Sequence, residues 1–182
     1  MKPVKTPFVV AVIMLLATDL FAQAKPNFAG TWRLDASLGG GGGRGDRDGR
    51  ASGGGGGRGG GIGLGAPPDT VTLQQNAGTL TVQQQVGDKT EATVYRLDGQ
   101  AEKIVMSIGP ARERRKADAV ASTRWQGTKL VTTFRIAAAA AGGPKPVEYR
   151  EVRSLDSKGN MVVETTMRGG TGRRTAVYKR AK

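Results

Sequence analysis

The feature that most constrains this fold is an alternation of apolar and polar residues that runs, in short segments, from Thr70 almost to the end of the chain. A period of two places every second side chain on the same face of an extended strand, so it predicts β-strands with one buried face. Turn signals separate the segments, among them Asp98 followed by Gly99 and a polar loop at 156–160. Helical periodicity is nearly absent. We therefore expect about eight or nine short strands from Thr70 onward.

A meander of this many antiparallel strands has two unpaired edges unless it closes on itself. We therefore predict an all-β fold, an antiparallel up-and-down meander closed into a small β-barrel. In that arrangement the first strand, Phe28 to Leu34, pairs with the last one, at 175–179, across a long loop that follows the first strand.

Residues 37–68 have a different composition, with polyglycine runs interrupted by Arg and Asp. Such a segment buries little apolar area and loses much backbone entropy on ordering, so we expect a disordered loop. Arg-Gly repeats also occur in RNA-binding tails, but this segment lacks the aromatic residues that stack on bases, which disfavours nucleic-acid binding. The predicted organisation is a signal peptide (1–24), a first barrel strand (25–36), this loop (37–68) and the remainder of the barrel (69–182).

The N-terminal segment has the organisation of an export signal. Lys2 and Lys5 precede an apolar run over 8–16, which is too short to cross a bilayer because that takes about 20 apolar residues. An Ala-Gln-Ala sequence at 22–24 then matches the pattern that signal peptidase cleaves. We expect cleavage after Ala24, no transmembrane segment in the remaining chain, and a location in the bacterial periplasm or outside the cell.

The chain contains no His and no Cys. Their absence excludes imidazole general bases, Ser-His and Cys-His nucleophile pairs, and metal sites built on imidazole or thiolate ligands. The acidic residues are spread thinly, with no pair in a recognisable catalytic setting. We predict a protein that is not an enzyme and carries neither a metal nor a cofactor.

Residues 27–34, Asn-Phe-Ala-Gly-Thr-Trp-Arg-Leu, resemble the opening of the lipocalin and fatty-acid-binding protein superfamily, the calycins. There a Gly-x-Trp begins the first strand and the Trp plugs one end of the barrel. The segments 125–127, 156–167 and 175–179 are similar to the fatty-acid-binding branch in strand order and turn placement. The whole chain most closely resembles small exported bacterial lipocalin-like proteins that begin Phe-x-Gly-Thr-Trp, most of them of unassigned function. The resemblance implies a barrel whose interior binds a small apolar or amphipathic ligand.

In fatty-acid-binding proteins an Arg two residues before the terminal Tyr helps that Tyr to hold the ligand carboxylate. Tyr178 stands at the Tyr position here, whereas Ala176 replaces the Arg and Arg174 lies on the same face two residues earlier. The Gly-rich segment also replaces the two short helices that cover the barrel in that family. The candidate ligand-binding residues are Trp32, Trp125, Phe134, Tyr149, Arg174 and Tyr178. Trp32 is more simply explained as a structural plug, and Trp125, Phe134, Tyr149 and Tyr178 as members of a packed core.

The formal net charge is +13, and it is +12 once a signal with Lys2, Lys5 and Asp19 is removed. A basic surface attracts anionic envelope polymers and lipid headgroups. The candidate anion-binding residues are Arg112, Arg114, Arg115, Lys116, Arg173 and Arg180. Three functions follow. The first is an exported, non-catalytic lipocalin-like barrel that binds a small hydrophobic or amphipathic molecule. The alternatives are a basic module for anionic envelope surfaces, and a structural barrel with a packed interior and no ligand.

Overall fold

The computed structural model describes residues 24–38, 67–86, 89–108, 115–137, 145–168 and 173–181. The expected signal segment before Ala24, most of the Gly-rich segment, and Arg112 and Arg114 lie outside the described residues. The strands are β1 (Gly30–Leu34), β2 (Thr70–Gln75), β3 (Thr79–Val86), β4 (Lys89–Arg96), β5 (Asp98–Ile108), β6 (Arg115–Gln126), β7 (Lys129–Ile136), β8 (Val147–Leu155), β9 (Met161–Met167) and β10 (Arg173–Arg180). Within the described ranges, no helix is long and apolar enough to span a membrane.

All ten strands form one antiparallel sheet in the order β4-β3-β2-β1-β10-β9-β8-β7-β6-β5. From β2 to β10, each strand pairs with the strand that follows it in the chain, except that β4 does not pair with β5. The first strand, β1, lies between β2 and β10. Trp32 of β1 is directly opposite Val71 on one side and Arg180 on the other. The expected pairing of the first strand with the last is therefore confirmed. The fold is the predicted all-β meander, closed into a nearly complete barrel.

The meander gives the barrel two different ends. The end that holds the connections after β2, β4, β6 and β8, which we call the turn end, also holds the start of β1 and the end of β10. The other end, the loop end, holds the longer connections after β1, β5 and β7. The turn after β8 is built as expected, because the Asp156 carboxylate accepts the backbone N–H groups of Lys158 and Asn160, each at 2.8 Å.

The connection between β4 and β5 is tighter than the sequence suggests. The expected turn at Asp98 and Gly99 falls inside the start of β5, where the register with β6 is interrupted between Asp98 and Ala101. The Asp98 carboxylate accepts the N–H of Gln100 at 2.9 Å, and Gly99 adopts a φ of 80°. This local irregularity lets β5 begin one residue after Leu97.

The turn end is filled by a plug of aromatic side chains. Trp32 and Phe28 are fully buried, and the Trp32 indole donates to the Phe28 carbonyl at 2.8 Å. The Phe28 ring stacks on Trp125 with centroids 5.9 Å apart, and the Arg180 guanidinium lies 4.5 Å from the centroid of the Trp32 ring. A Cβ on Gly30 would come within 2.6 Å of that guanidinium, and Gly30 has a φ of 130°. The Gly-Thr-Trp sequence therefore closes this end.

The remaining sheet edges, β4 and β5, are joined by side chains and not by a backbone ladder. The Glu91 carboxylate accepts a hydrogen bond from Ser107 Oγ at 2.7 Å and lies 3.0 Å from Lys116 Nζ. Closer to the turn end, Glu102 accepts the backbone N–H of Arg96 at 2.8 Å. The gap between these strands is thus held by polar side chains, which solvent can replace more easily than a continuous ladder.

A first prediction concerns the Gly-rich segment. The Leu34 N–H donates to the Asp69 carbonyl at 2.8 Å, so the chain leaves β1 and reaches β2 at neighbouring positions. Deleting 39–61 should leave the barrel folded, because loop-closure entropy depends only weakly on loop length. The measurement is thermal unfolding followed by circular dichroism. Loss of cooperative unfolding would contradict the prediction.

A second prediction concerns acid stability. Asp35 follows β1 and lies 2.6 Å from Lys179 Nζ on β10. The hydrogen bond from Lys179, with those from Ser37, lowers the pKa of Asp35 to about 2. The interaction should therefore stabilise the fold above the ordinary Asp pKa of about 4 and be lost as the pH falls towards 2.

Replacing Asp35→Asn should lower the Tm at pH 6, and the difference from the parent should disappear near pH 2. The control is Asp118→Asn, since Asp118 is exposed and has no ion pair among the described residues. A Tm difference for Asp35→Asn that is independent of pH would show that the carboxylate charge is not what stabilises this contact.

Candidate functional site

A cavity of about 140 Å³, lined by described residues, lies inside the barrel in the half nearer the loop end. Pro67 and Pro68, which precede β2, border it at that end. A cavity of roughly this volume holds a molecule of about the size of benzene, whereas drug-sized ligands occupy roughly 300–1,000 Å³. Inward-facing side chains therefore fill most of the barrel.

One wall of the cavity is apolar. Phe134, Met106, Val82 and Val163 contribute to it from four different strands. The Phe134 ring meets Tyr95 edge to face, with centroids 6.0 Å apart. This wall suits a compact apolar or aromatic group.

Another part of the lining is polar, and strand register explains why. Thr132, Glu151, Thr165 and Arg174 occupy directly opposed positions on β7, β8, β9 and β10. Opposed residues in an antiparallel sheet point to the same face, and Glu151, Thr165 and Arg174 line the cavity. Arg153, two residues beyond Glu151 on β8, shares that inward face.

Glu151 and Arg153 form a buried ion pair, with Glu151 Oε1 2.6 Å from Arg153 Nη2. Arg153 is only 7% exposed, and its Nη1 is buried without a hydrogen-bond partner. Buried guanidinium nitrogens almost always have acceptors, because leaving one unpaired costs free energy. An acceptor oxygen of a molecule in the cavity would satisfy this nitrogen.

Two tyrosines complete the site. Tyr95 and Tyr178 both line the cavity and are buried. Burial raises the pKa of Tyr95 to about 12 and also raises that of Tyr178. Both hydroxyls therefore remain protonated at neutral pH and can donate hydrogen bonds.

The structure divides the predicted ligand-binding residues into two groups. Phe134, Arg174 and Tyr178 line the cavity. Tyr149 is buried directly opposite Phe134 but lies outside the lining. Trp32 and Trp125 belong to the plug at the turn end.

The predicted anion-binding residues do not converge on one surface among the described residues. Arg115 and Lys116 begin β6 and Arg173 begins β10, which places these strands four steps apart in the sheet, about 19 Å at 4.8 Å per strand. Arg180 lies at the opposite end of β10 from Arg173, about 23 Å away. Arg173 also pairs with Glu164.

Sequence reasoning missed Glu151 and Arg153 as site residues. Their signal is the alternation itself, since Tyr149, Glu151 and Arg153 follow each other at a spacing of two. Continuing the alternation from the inward-facing Tyr149 for four more residues would have placed both Glu151 and Arg153 inside the barrel. Among the described residues, no cluster of three or more acidic side chains could hold a metal ion.

No protein-family model and no curated protein matches the sequence. Solved structures do match the fold. The REP1-NXSQ fatty acid transporter has a TM-score of 0.52 at 12% identity, and a variant of the fluorescent protein UnaG has a TM-score of 0.50 at 19% identity. Each comparison covers 85% of this chain and 96% of the other. Both neighbours are calycin barrels of the fatty-acid-binding type, so the predicted resemblance is confirmed at the level of the fold.

A third prediction follows from the tyrosines. The chain has three, Tyr95, Tyr149 and Tyr178, and burial raises the pKa of each. A raised folded-state pKa stabilises the fold below the unfolded value of about 10, and this contribution is lost as the pH rises further. Ultraviolet titration of the native protein should show less tyrosinate at pH 10 than ordinary tyrosines would give, and the remaining ionisation should accompany alkaline unfolding. The urea-unfolded chain is the control. A normal titration in the native state would contradict the burial.

Proposed function

We propose that this protein is an exported, non-catalytic binding barrel that takes a small amphipathic molecule into its interior. The observation that carries the proposal is Arg153, a buried guanidinium that lines the cavity and has a nitrogen without an acceptor. The molecule places its acceptor oxygens, as in a carboxylate, against this nitrogen. Its apolar part lies against Phe134 and Met106.

The chemistry of the two walls supports this ligand class. A purely apolar molecule would leave Arg153 Nη1 without an acceptor and would bring a hydrocarbon surface against Glu151 and Arg174, which is unfavourable for the charged groups. A purely polar molecule would not use the apolar wall. An amphipathic molecule satisfies both walls.

The structural neighbours support the proposed chemical class of the ligand, but they do not indicate its size. A fatty acid, for which the transporter is named, is itself a carboxylate on a hydrocarbon chain. The cavity here, at about 140 Å³, favours a shorter molecule. Export is supported by the basic and apolar segments before Ala24 and by the cleavage pattern at 22–24.

The first test is native mass spectrometry of the protein purified from the periplasm, together with an organic extract of the same sample. A stoichiometric adduct that also appears in the extract would support the proposal and identify the ligand class. A clean unliganded mass, together with no binding of short-chain or aromatic carboxylates in calorimetry, would overturn it in favour of a packed structural barrel.

A fourth prediction tests the role of Arg153. Removing one member of a buried ion pair leaves an uncompensated charge and destabilises by about 3–5 kcal/mol, so the variant of choice is Glu151→Gln/Arg153→Met. It should remain folded and lose the adduct. The affinity for the extracted ligand should fall at least tenfold, because a charge-assisted hydrogen bond contributes about 1.5–3 kcal/mol.

The matched control is Arg150→Met on the same strand. Arg150 is exposed on the outer face and donates to Gln126. It should bind ligand as the parent does. If both variants lost the adduct equally, or neither did, the ligand would not depend on the interior arginine.

A further inference from the structure

Three exposed valines surround the gap between β4 and β5. Val94 on β4 is 51% exposed, Val105 on β5 is 53% exposed and Val120 on β6 is 40% exposed. Among the described residues, only Leu38 is a further large apolar side chain of such exposure. Isolated apolar residues are normal on a protein surface, so what matters is whether these three form one patch.

Strand register and the contacts across the gap place them on neighbouring strands. Glu91 binds Ser107, and Glu102 binds the backbone of Arg96. These two contacts set the alignment of β4 with β5. In that alignment Val94 is opposite position 104, and Val105 is the next residue along β5. On the other side of β5, Val120 is directly opposite Lys103, the outward neighbour of Val105. The three valines therefore occupy nearby outward positions on β4, β5 and β6, and we call them the valine band.

Cations border this valine band. Lys103, Val120 and Arg135 stand side by side on β5, β6 and β7, and all three line a shallow groove on the outside of the sheet. Lys103 and Arg135 make no ion pair or hydrogen bond with any described residue. The acidic residue that lines this groove is Asp118, opposite Val105.

Exposed valines beside unpaired cations favour a partner that offers both an apolar region and anionic groups. A second copy of the chain placed face to face would bring the same unpaired cations together, which is unfavourable. A tightly binding protein partner typically meets aromatic anchors, and the band consists of small branched side chains. A bilayer accommodates both features, since valines can enter the interface while Lys and Arg reach anionic headgroups.

We propose that the valine band and its flanking cations, Lys103 and Arg135, dock the protein on a lipid bilayer that carries anionic headgroups. Docking there brings the β4–β5 gap to the membrane. Glu91 and Ser107, which bridge that gap, also line the interior cavity. The docked face is thus the side of the barrel on which the cavity is closed by side chains alone. The proposal does not depend on what the cavity binds.

A fifth prediction tests this surface by co-sedimentation with vesicles of phosphatidylcholine and phosphatidylglycerol in equal parts, and with pure phosphatidylcholine. The parent and all variants are purified from the periplasm, and their intact masses are checked so that each has the same N-terminus. The parent should bind the anionic vesicles, and binding should weaken steeply with salt.

Two variants remove the two parts of the surface. Lys103→Gln/Arg135→Gln should weaken binding to anionic vesicles at least tenfold, since each cation near such a surface contributes about a factor of five. Val94→Thr/Val105→Thr/Val120→Thr should weaken it severalfold, because Thr keeps the shape and strand preference of Val but not its apolar surface. Exposed positions tolerate both changes without unfolding.

The matched control is Arg33→Gln/Lys158→Gln, which removes the same charge from exposed positions elsewhere. It should retain most of the binding. Equal losses in the two double variants would overturn the proposal, because attraction by net charge alone would then explain binding. Equal binding to pure phosphatidylcholine, or no binding to either vesicle, would also overturn it. So would a concentration-dependent dimer that the valine substitutions abolish.

Discussion

The whole barrel depends on the pairing of one five-residue strand with two neighbours. β1, Gly30–Leu34, is the only strand that connects β2 to β10 within the described sheet, and β4 and β5 at the far edges are joined by side chains. Without β1 the sheet would separate into a three-stranded and a six-stranded part, with four open edges. The plug formed by Phe28 and Trp32 explains how so short a strand is held. Burial of both rings and the indole hydrogen bond anchor it at the turn end.

The interior combines two kinds of energetics. At the turn end the core is apolar and tightly filled, as in small barrels generally. Towards the loop end the inward positions carry Glu151, Arg153 and Arg174 around a small cavity. A buried ion pair contributes little to stability by itself, because desolvation offsets the Coulomb attraction. Its presence where an apolar pair would pack as well suggests a role in recognition, and this is the basis of the proposed function.

The sequence predicts the architecture well because one physical signal, the period of two, repeats in every strand. It also predicts the β1–β10 pairing, since closure removes the edges, and it assigns Trp32 correctly to the end of the barrel through the Gly-Thr-Trp resemblance. The site is predicted only in part. Phe134, Arg174 and Tyr178 line the cavity, but Arg153 was missed because a charged residue in a strand is ordinarily assigned to the outer face.

Assigning residues to the inner or outer face by their polarity also fails to predict the valine band. Apolar residues are assigned to the core by default, so Val94, Val105 and Val120 gain meaning only when the strand register places them outside. The bridge at Glu91 has no sequence signal either. Which strands remain unpaired depends on how the sheet curves, and no local pattern encodes that curvature.

The position of β1 also has a kinetic consequence. The hydrogen bond from Arg180 to the Ala29 carbonyl joins residues 151 positions apart, and the β1–β10 ladder joins the two ends of the described chain. Contacts this distant in sequence form slowly, because closing so long a loop costs chain entropy before the contact stabilises it. They also cannot form before β10 has been synthesised. The chain therefore remains open through almost all of its synthesis, the condition in which a polypeptide can be threaded through a translocation channel.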